Sequence, residues 1–263
     1  MNKYQIMKTI VKTLIVFVFL SSSCISITRS TLREPIPPVI EINDCKISST
    51  GAVYLKMFGY IKTDFIPNSV KIMNNDLVIY CDPLVVEDTL KADFILITHS
   101  HMDHFSKTDI NKLLKPSTIL IAPKTVTKKY KHINNHAAII GAGFNFEDIH
   151  FEAVEAYNIN SGIHKKGNKS VGYVISCDSA RIYIAGDTDF IPEMKELKDI
   201  TVAIVPIGEG KTAMNPQAAG EAVKTINPVI AIPVHYELNQ NRENDFLEHV
   251  NNLVNLGYFH NYK

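Results

Sequence analysis

The sequence predicts a mixed α/β domain in which short apolar strands end in polar, ligand-type side chains. Two observations predict it. Brief runs rich in β-branched and aliphatic residues alternate with helical patterns along most of the chain, and histidine or aspartate stands one or two positions after the end of three of those runs. Of 263 residues, 46% are apolar and 21% charged, enough for one sizeable core, and a disordered, collagen-like or coiled-coil chain would have a different balance. The 27 basic and 27 acidic residues cancel. Lys3, Lys8 and Lys12 lie in a leading segment without acids, so 24 basic residues face 27 acidic ones in the remainder, and no nucleic-acid partner is expected. The four cysteines form no C-x-x-C pair, which argues against a zinc ribbon or a disulfide scaffold.

Residues 1–23 have the order of an export signal: the three lysines, the apolar run Leu14–Leu20, then Ser21, Ser22 and Ser23. The run is far shorter than the roughly 20 residues of a membrane-spanning helix. Cys24 follows directly, where a bacterial lipoprotein carries its lipid, so the first expectation is an exported protein anchored to a membrane surface through Cys24. A plainly cleaved signal and an uncleaved anchor are the alternatives. Residues 24–38, with Pro35, Pro37 and Pro38, read as a tether, and 39–263 as one domain with no second linker or repeat. Cys45, Cys81 and Cys177 read as small buried hydrophobes, with a disulfide left open by the expected export.

Within the domain, Val53–Met57, Ser69–Met73 and Leu77–Cys81 read as strands, the last two joined by an Asn74-Asn75-Asp76 turn. Phe94–Thr98 is a strand followed by a polar loop, a helix near Thr108–Leu114 and a strand at Thr118–Ala122. Val171–Cys177 and Arg181–Ala185 pair across Asp178-Ser179. Val202–Ile207 precedes a helix over Gln217–Ile226 that is capped by Asn215 and opened by Pro216. Val229–Val234 is a further strand, and an amphipathic helix is expected near Glu243–Asn255.

Chemistry concentrates in His99-Ser100-His101-Met102-Asp103-His104, at the end of an apolar strand. His99 and His101 are two apart, so in an extended segment both imidazoles leave on one side and can share a cation. Asp103 and His104 lie past the bend and can turn toward a second cation. At this composition such a pattern arises by chance in on the order of one chain in a thousand. Arg181–Ala185 ends in Gly186-Asp187 and Val229–Val234 in His235, the same design twice more. Strand C-terminal ends in layered α/β proteins meet at one edge, where sites form. His164 stands in a polar loop. His132, His136, His150, His249 and His260 lack such a setting and read as ordinary histidines. Gly210-Lys211-Thr212 ends like a phosphate-binding loop, but Val205 replaces the required earlier glycine. Lys211 therefore reads as a solvated loop lysine or a contact for an anionic substrate.

These residues carry a resemblance. His99-x-His101-x-Asp103-His104, then His164, Gly186-Asp187-Thr188 and Pro233-Val234-His235-Tyr236 resemble the metallo-β-lactamase superfamily. The likeness is to its lactonase-like and phosphodiesterase-like branch, which includes L-ascorbate-6-phosphate lactonase. Tyr80-Cys81-Asp82-Pro83 and Ala156-Tyr157-Asn158-Ile159 add to it, over roughly Val39 to Tyr236. The resemblance implies a four-layer αββα sandwich with the metals at one edge of the two sheets. His99, His101 and His164 would hold one ion, Asp103, His104 and His235 another, and Asp187 would bridge. The chain departs from its relatives at Pro67-Asn68-Ser69, where a Gly-His is common, and at Gly208-Glu209-Gly210-Lys211-Thr212, where a Gly-Gly and an aromatic residue are common. Substrate specificity therefore does not carry over.

The expectation is an exported hydrolase using two divalent ions, zinc first, with manganese or iron fitting the same donors. A hydroxide shared by the ions would attack an ester, lactone or phosphodiester of a small-molecule substrate, with Asp103 and Asp187 as the catalytic carboxylates. Tyr157, Asn158 and Lys211 are candidate substrate contacts. An iron-dependent oxidoreductase and a non-catalytic surface protein are the alternatives.

Overall fold

The computed structural model describes residues 38–57, 60–87, 90–167, 169–177, 180–250 and 253–260. The expected export signal, Cys24, the tether up to residue 37 and the Asp178-Ser179 turn lie outside the described residues. In chain order the strands of the first half are β1 (Ile40–Ile42), β2 (Cys45–Ser49), β3 (Val53–Met57), β4 (Tyr60–Ile66), β5 (Val70–Asn74), β6 (Leu77–Cys81), β7 (Phe94–Leu96), β8 (Ile119–Ala122) and β9 (Asn135–Ala137). Helix α1 (Lys107–Leu113) joins β7 to β8, and α2 (Lys124–Thr127) joins β8 to β9. The second half holds β10 (Gly143–Phe146), β11 (Ile149–Glu155), β12 (Val171–Cys177), β13 (Ala180–Ile184), β14 (Val202–Pro206), α3 (Pro216–Ile226), β15 (Ile230–Val234), β16 (Tyr236–Glu237), α4 (Arg242–Val250) and β17 (Asn255–Leu256).

Two seven-stranded sheets result, ordered β1-β2-β5-β6-β7-β8-β9 and β10-β11-β12-β13-β14-β15-β17, and β16-β4-β3 forms a third, small sheet. Each large sheet is antiparallel in its earlier strands and parallel in its later ones: β6 to β9 in the first, β13 to β15 and β17 in the second. Parallel strands carry their C-terminal ends to one edge, so the residues that follow β7, β13 and β15 emerge together.

Apolar side chains on the inner faces, among them Ile47, Ile72, Ile79, Phe94, Leu96 and Ile121 from one sheet and Phe151, Tyr173, Ile175, Ile182 and Ile184 from the other, form one core between the sheets. Ile110, Leu113 and Val126 from α1 and α2 cover the outer face of the first sheet over Val78, Tyr80, Ile95, Ile97 and Leu120. Ala219, Ala222 and Val223 of α3 and Phe246 of α4 are buried against the second. The layering is the expected αββα sandwich. Helix α3 is capped as its sequence dictates: the Asn215 side chain accepts from Ala218 N–H at 2.8 Å, and Asn227 closes it in the left-handed region.

The expected elements form with shifts of a residue or two, except at the C-terminus. The helix expected over Glu243–Asn255 is instead α4 over Arg242–Val250, and Asn255 and Leu256 pair in parallel with Ile230 and Ala231. Leu253, Val254 and Leu256 suit a helix face by spacing, but an open sheet edge beside β15 offers them backbone partners. Strands β4 and β11 escaped the sequence reading because charged residues such as Lys62, Asp64, Glu152 and Glu155 break up their apolar faces. Cys45, Cys81 and Cys177 are buried. Cys45 and Cys177 face each other from the two sheets, their sulfurs 2.7 Å apart.

One contact fastens the sheets next to the site edge. The buried Tyr173 hydroxyl on β12 donates to the carbonyl oxygens of Ile97 (2.8 Å) and Ile121 (3.1 Å), just beyond β7 and within β8. Tyr173→Phe leaves both sheets intact but removes this bond inside a dry core. It is expected to lower unfolding free energy by about 1–2 kcal/mol, read as a reduced urea midpoint at unchanged slope.

Candidate metal centre

The strand ends deliver the ligand-type residues, and local hydrogen bonds aim them. Beyond β7 the chain stays clamped: Ile97 N–H donates to Ile121 O at 3.1 Å, and Val171 N–H to Thr98 O at 2.9 Å. His99 and His101 leave this clamped segment. The chain then turns, with His104 N–H and Phe105 N–H both donating to His101 O at 3.1 and 2.7 Å. That turn brings Asp103 and His104 back over the strand end. Just after β13, Gly186 has a φ of 63° and presses on Thr98, where a Cβ would meet its side chain at 3.1 Å. Only glycine gives this approach without strain, and it places Asp187 beside His99 and His104. After β15, His235 itself adopts a left-handed φ of 58°. A non-glycine residue is held there only by its surroundings.

Two groups of donors result. His99, His101, His164 and Asp187 have ligand atoms within 4.8 Å of one another, and so do Asp103, His104 and His235. In the first group, His101 Nδ1 lies 3.1 Å from His99 Nε2 and 3.0 Å from His164 Nε2. In the second, His235 Nε2 stands 3.4 Å from Asp103 Oδ2. Asp187 faces both: Oδ1 is 3.3 Å from His104 Nε2 and 3.4 Å from His235 Nε2, and Oδ2 is 4.0 Å from His99 Nε2. Ligands about 2.1 Å from a tetrahedral ion stand about 3.4 Å from each other, so these separations suit divalent cations. His104 Nε2, Asp187 Oδ1 and both ring nitrogens of His235 are buried without a partner in hydrogen-bond geometry. Orphaned polar atoms at one point fit a cation-binding centre, since burying them unpaired is costly. His101 is exposed, which leaves this edge open to solvent.

Electrostatics follow from burial and crowding. Burial drives the His99 imidazole well below its usual range, and His104 nearby adds to that. His164 is lowered for the same first reason. His104 goes the other way: burial disfavours its charge, but Asp187, Asp103 and Asp82 outweigh it and raise its pKa well above the ordinary value. Burial alone would raise the Asp187 carboxyl, yet His235 and His104 pull it well below the carboxylate range. Asp103 is likewise lowered, by His104 and His235 against burial. Both carboxylates are therefore ionised at neutral pH and ready to meet cations.

The second ring nitrogens of His99, His104 and His164 are held too, by residues the sequence reading largely missed. His104 Nδ1 lies 2.7 Å from Asp82 Oδ2, His99 Nδ1 3.0 Å from Thr98 Oγ1, and His164 Nδ1 2.8 Å from Asn158 Oδ1 and 3.1 Å from Thr212 O. Such contacts fix tautomer and ring orientation. Asn158 thus braces His164, and also donates to Asp189 Oδ1 at 3.0 Å. The Tyr157 hydroxyl turns to Glu193 (3.1 Å), with Lys166 over its ring. Lys211 is exposed and lines a cavity next to His235. Asn68, where relatives are expected to carry histidine, donates to Asp82 Oδ2 at 2.9 Å. Behind His235, the Tyr236 hydroxyl bonds Glu243 and sits 3.0 Å from His260 Nε2, so His260 is a buried brace rather than an ordinary surface histidine. Only its partners, distant in sequence, could have revealed that.

Asp82→Asn keeps the size of this carboxylate but removes the charge that orients His104. Metal affinity, read by competition with a chromogenic chelator, is expected to fall about 10- to 100-fold while thermal unfolding stays cooperative.

Known proteins resemble this chain in sequence and in fold. A UPF0173 metal-dependent hydrolase from Anoxybacillus flavithermus is 30% identical over 187 residues, covering 64% of this chain and 81% of the relative. One from Bacillus thuringiensis is 29% identical over 206 residues, covering 71% and 89%. The crystal structure of a protein from Parabacteroides distasonis described as a metal-dependent hydrolase superposes with a TM-score of 0.69 at 28% identity, over 85% of this chain and 97% of that one. Residues 65–235, which span the span from β4 to the last of the seven donors, match the model of the beta-lactamase superfamily domain, and the chain belongs to that superfamily.

Proposed function

We propose that this protein is a binuclear metal-dependent hydrolase of small esters, lactones or phosphodiesters. The observation that carries the reading is the position of Asp187, whose two oxygens face one donor group each. His99 Nε2, His101 Nδ1 and His164 Nε2 would hold one ion. Asp103, His104 and His235 would hold the other, with Asp187 between them; zinc suits this nitrogen and oxygen set, and manganese and iron satisfy the same donors. When bound, two such ions supply Lewis acidity and lower the pKa of a water between them toward neutrality.

The remaining work falls to the chain. Asp82, Thr98, Asn158 and the Thr212 carbonyl keep the imidazoles aimed, so no reorganisation is needed as charge develops. Asp103 is more exposed than Asp187, its side chain 13% accessible against 4%, and lies at the open side. Its free oxygen takes the proton released as the water oxygen bonds to the carbonyl or phosphorus centre, and returns it to the leaving oxygen as the ester bond breaks. The relatives named as metal-dependent hydrolases support the same class of chemistry.

His101→Ala and Asp187→Ala are each expected to lose most of the bound metal, measured by elemental analysis, and at least about a hundredfold in hydrolysis of chromogenic ester and phosphodiester substrates. Full metal content with full turnover in either variant would refute the reading. The proposal also places the protein outside the cytoplasm on a lipid anchor, as the order of residues 1–24 suggests. Cells given a labelled fatty-acid precursor should incorporate it into the wild-type chain and not into Cys24→Ala.

A further inference from the structure

Beside the metal centre lies a cavity of about 180 Å³ lined by His235, Phe65, Ile163, Lys62, Arg242 and the loop Gly208–Thr212. Both ends of that loop are seated on the donor groups. At Gly208 an added Cβ would come within 3.3 Å of His235 O and 3.4 Å of its Nδ1, and at the other end Thr212 O lies 3.1 Å from His164 Nδ1. Lys211, the residue before Thr212, lines the same cavity as His235.

The cations of the cavity differ in what they are free to do. Arg242 is committed: Nη1 donates to Gly208 O at 2.7 Å, Nε to Gln240 Oε1 at 2.8 Å, and Nη2 lies 3.8 Å from Glu209. Lys62 sits over the Phe65 ring, 4.5 Å from its centre, in the same cavity as Glu237. Lys211 forms no hydrogen bond or ion pair among the described residues. Two apolar side chains line the same cavity: Phe65, which stands edge-on to His235 with ring centres 5.1 Å apart, and Ile163, which is 55% exposed. Lys62, Lys211 and Arg242 face two carboxylates, Glu209 and Glu237, around this cavity, and the one positive charge left over matches a single negative charge. A phosphate dianion would leave a charge unbalanced beside Glu209 and Glu237.

We propose that this cavity selects esters or lactones that carry a carboxylate beyond a short apolar spacer, with the carboxylate held by Lys211. The inference rests on the hydrolase reading above and names the substrate class of that site. It is tested with the full chain on mono-4-nitrophenyl glutarate and 4-nitrophenyl valerate, which share a five-carbon acyl chain and differ in the terminal carboxylate. The wild type should favour the glutarate ester, and the ratio of the two kcat/KM values should drop about tenfold in Lys211→Ala, recover in Lys211→Arg, and shrink as salt rises. In parallel, free glutarate titrated by NMR should bind the wild type at least about fivefold more tightly than Lys211→Ala. An unchanged ratio together with unchanged glutarate binding in Lys211→Ala overturns the inference, as does Lys211-dependent binding of inorganic phosphate tighter than that of glutarate. If neither ester turns over while glutarate still binds through Lys211, the hydrolase reading falls and the carboxylate site stands.

Discussion

The carboxylate of Asp82 is the contact on which the site most depends. It is fully buried, at the C-terminal end of β6, in a left-handed backbone conformation with φ of 46°. It accepts from Thr98 N–H (2.7 Å), Thr98 Oγ1 (2.6 Å) and Asn68 Nδ2 (2.9 Å), and faces His104 Nδ1 at 2.7 Å. A carboxylate removed from water at this depth survives because both of its oxygens are hydrogen-bonded, Oδ1 by Thr98 N–H and Oδ2 by Thr98 Oγ1 and Asn68. Those partners belong to the end of β5's approach, the end of β7 and the turn after it, so the one charge sets the spacing of the strand ends from which the donors leave. The strained backbone at Asp82 and at His235 falls at the same edge, where surrounding contacts over-determine it.

That arrangement couples the donors before any cation arrives. Asp187 and Asp103 are held ionised by His104 and His235, while His104 gains basicity from three carboxylates around it. The cluster is thus a set of opposed charges with its geometry already set, and a cation entering it must displace the proton that His104 favours. Preorganisation of this kind costs stability, and the two-sheet core between Phe94, Phe151 and Tyr173 is what offsets it.

Much of this was legible in the sequence because it rests on local rules. Two-residue spacing puts His99 and His101 on one side, and an apolar run ending in Gly-Asp or in His marks a strand terminus; those rules single out His99, His101, Asp187 and His235, the bend after His101 adds Asp103 and His104, and His164 entered the set only through the family resemblance. Parallel pairing then does in space what the sequence could only suggest, carrying the ends of β7, β13 and β15 to one edge. The bracing residues were not legible for the converse reason. Asp82 is 22 positions from His104, Thr212 is 48 from His164, and Tyr236 is 24 from His260, so no spacing rule joins them. The same applies to β17, whose strand character comes entirely from the exposed edge of β15 and not from its own two residues.

The division between donors and loop also explains how one scaffold can serve different substrates. Every donor except His164 is fixed by a strand end or by the turn that follows it, and shifting one would disturb the ladder behind it. The stretch Glu209–Lys211 is different: it is exposed, and it is anchored at its ends by Gly208 and Thr212, with Glu209 near Arg242. Its side chains can change without moving a donor, as long as those two anchor points hold. Recognition of the non-reacting part of a substrate is therefore carried where substitution costs the fold least, next to a centre where it costs most.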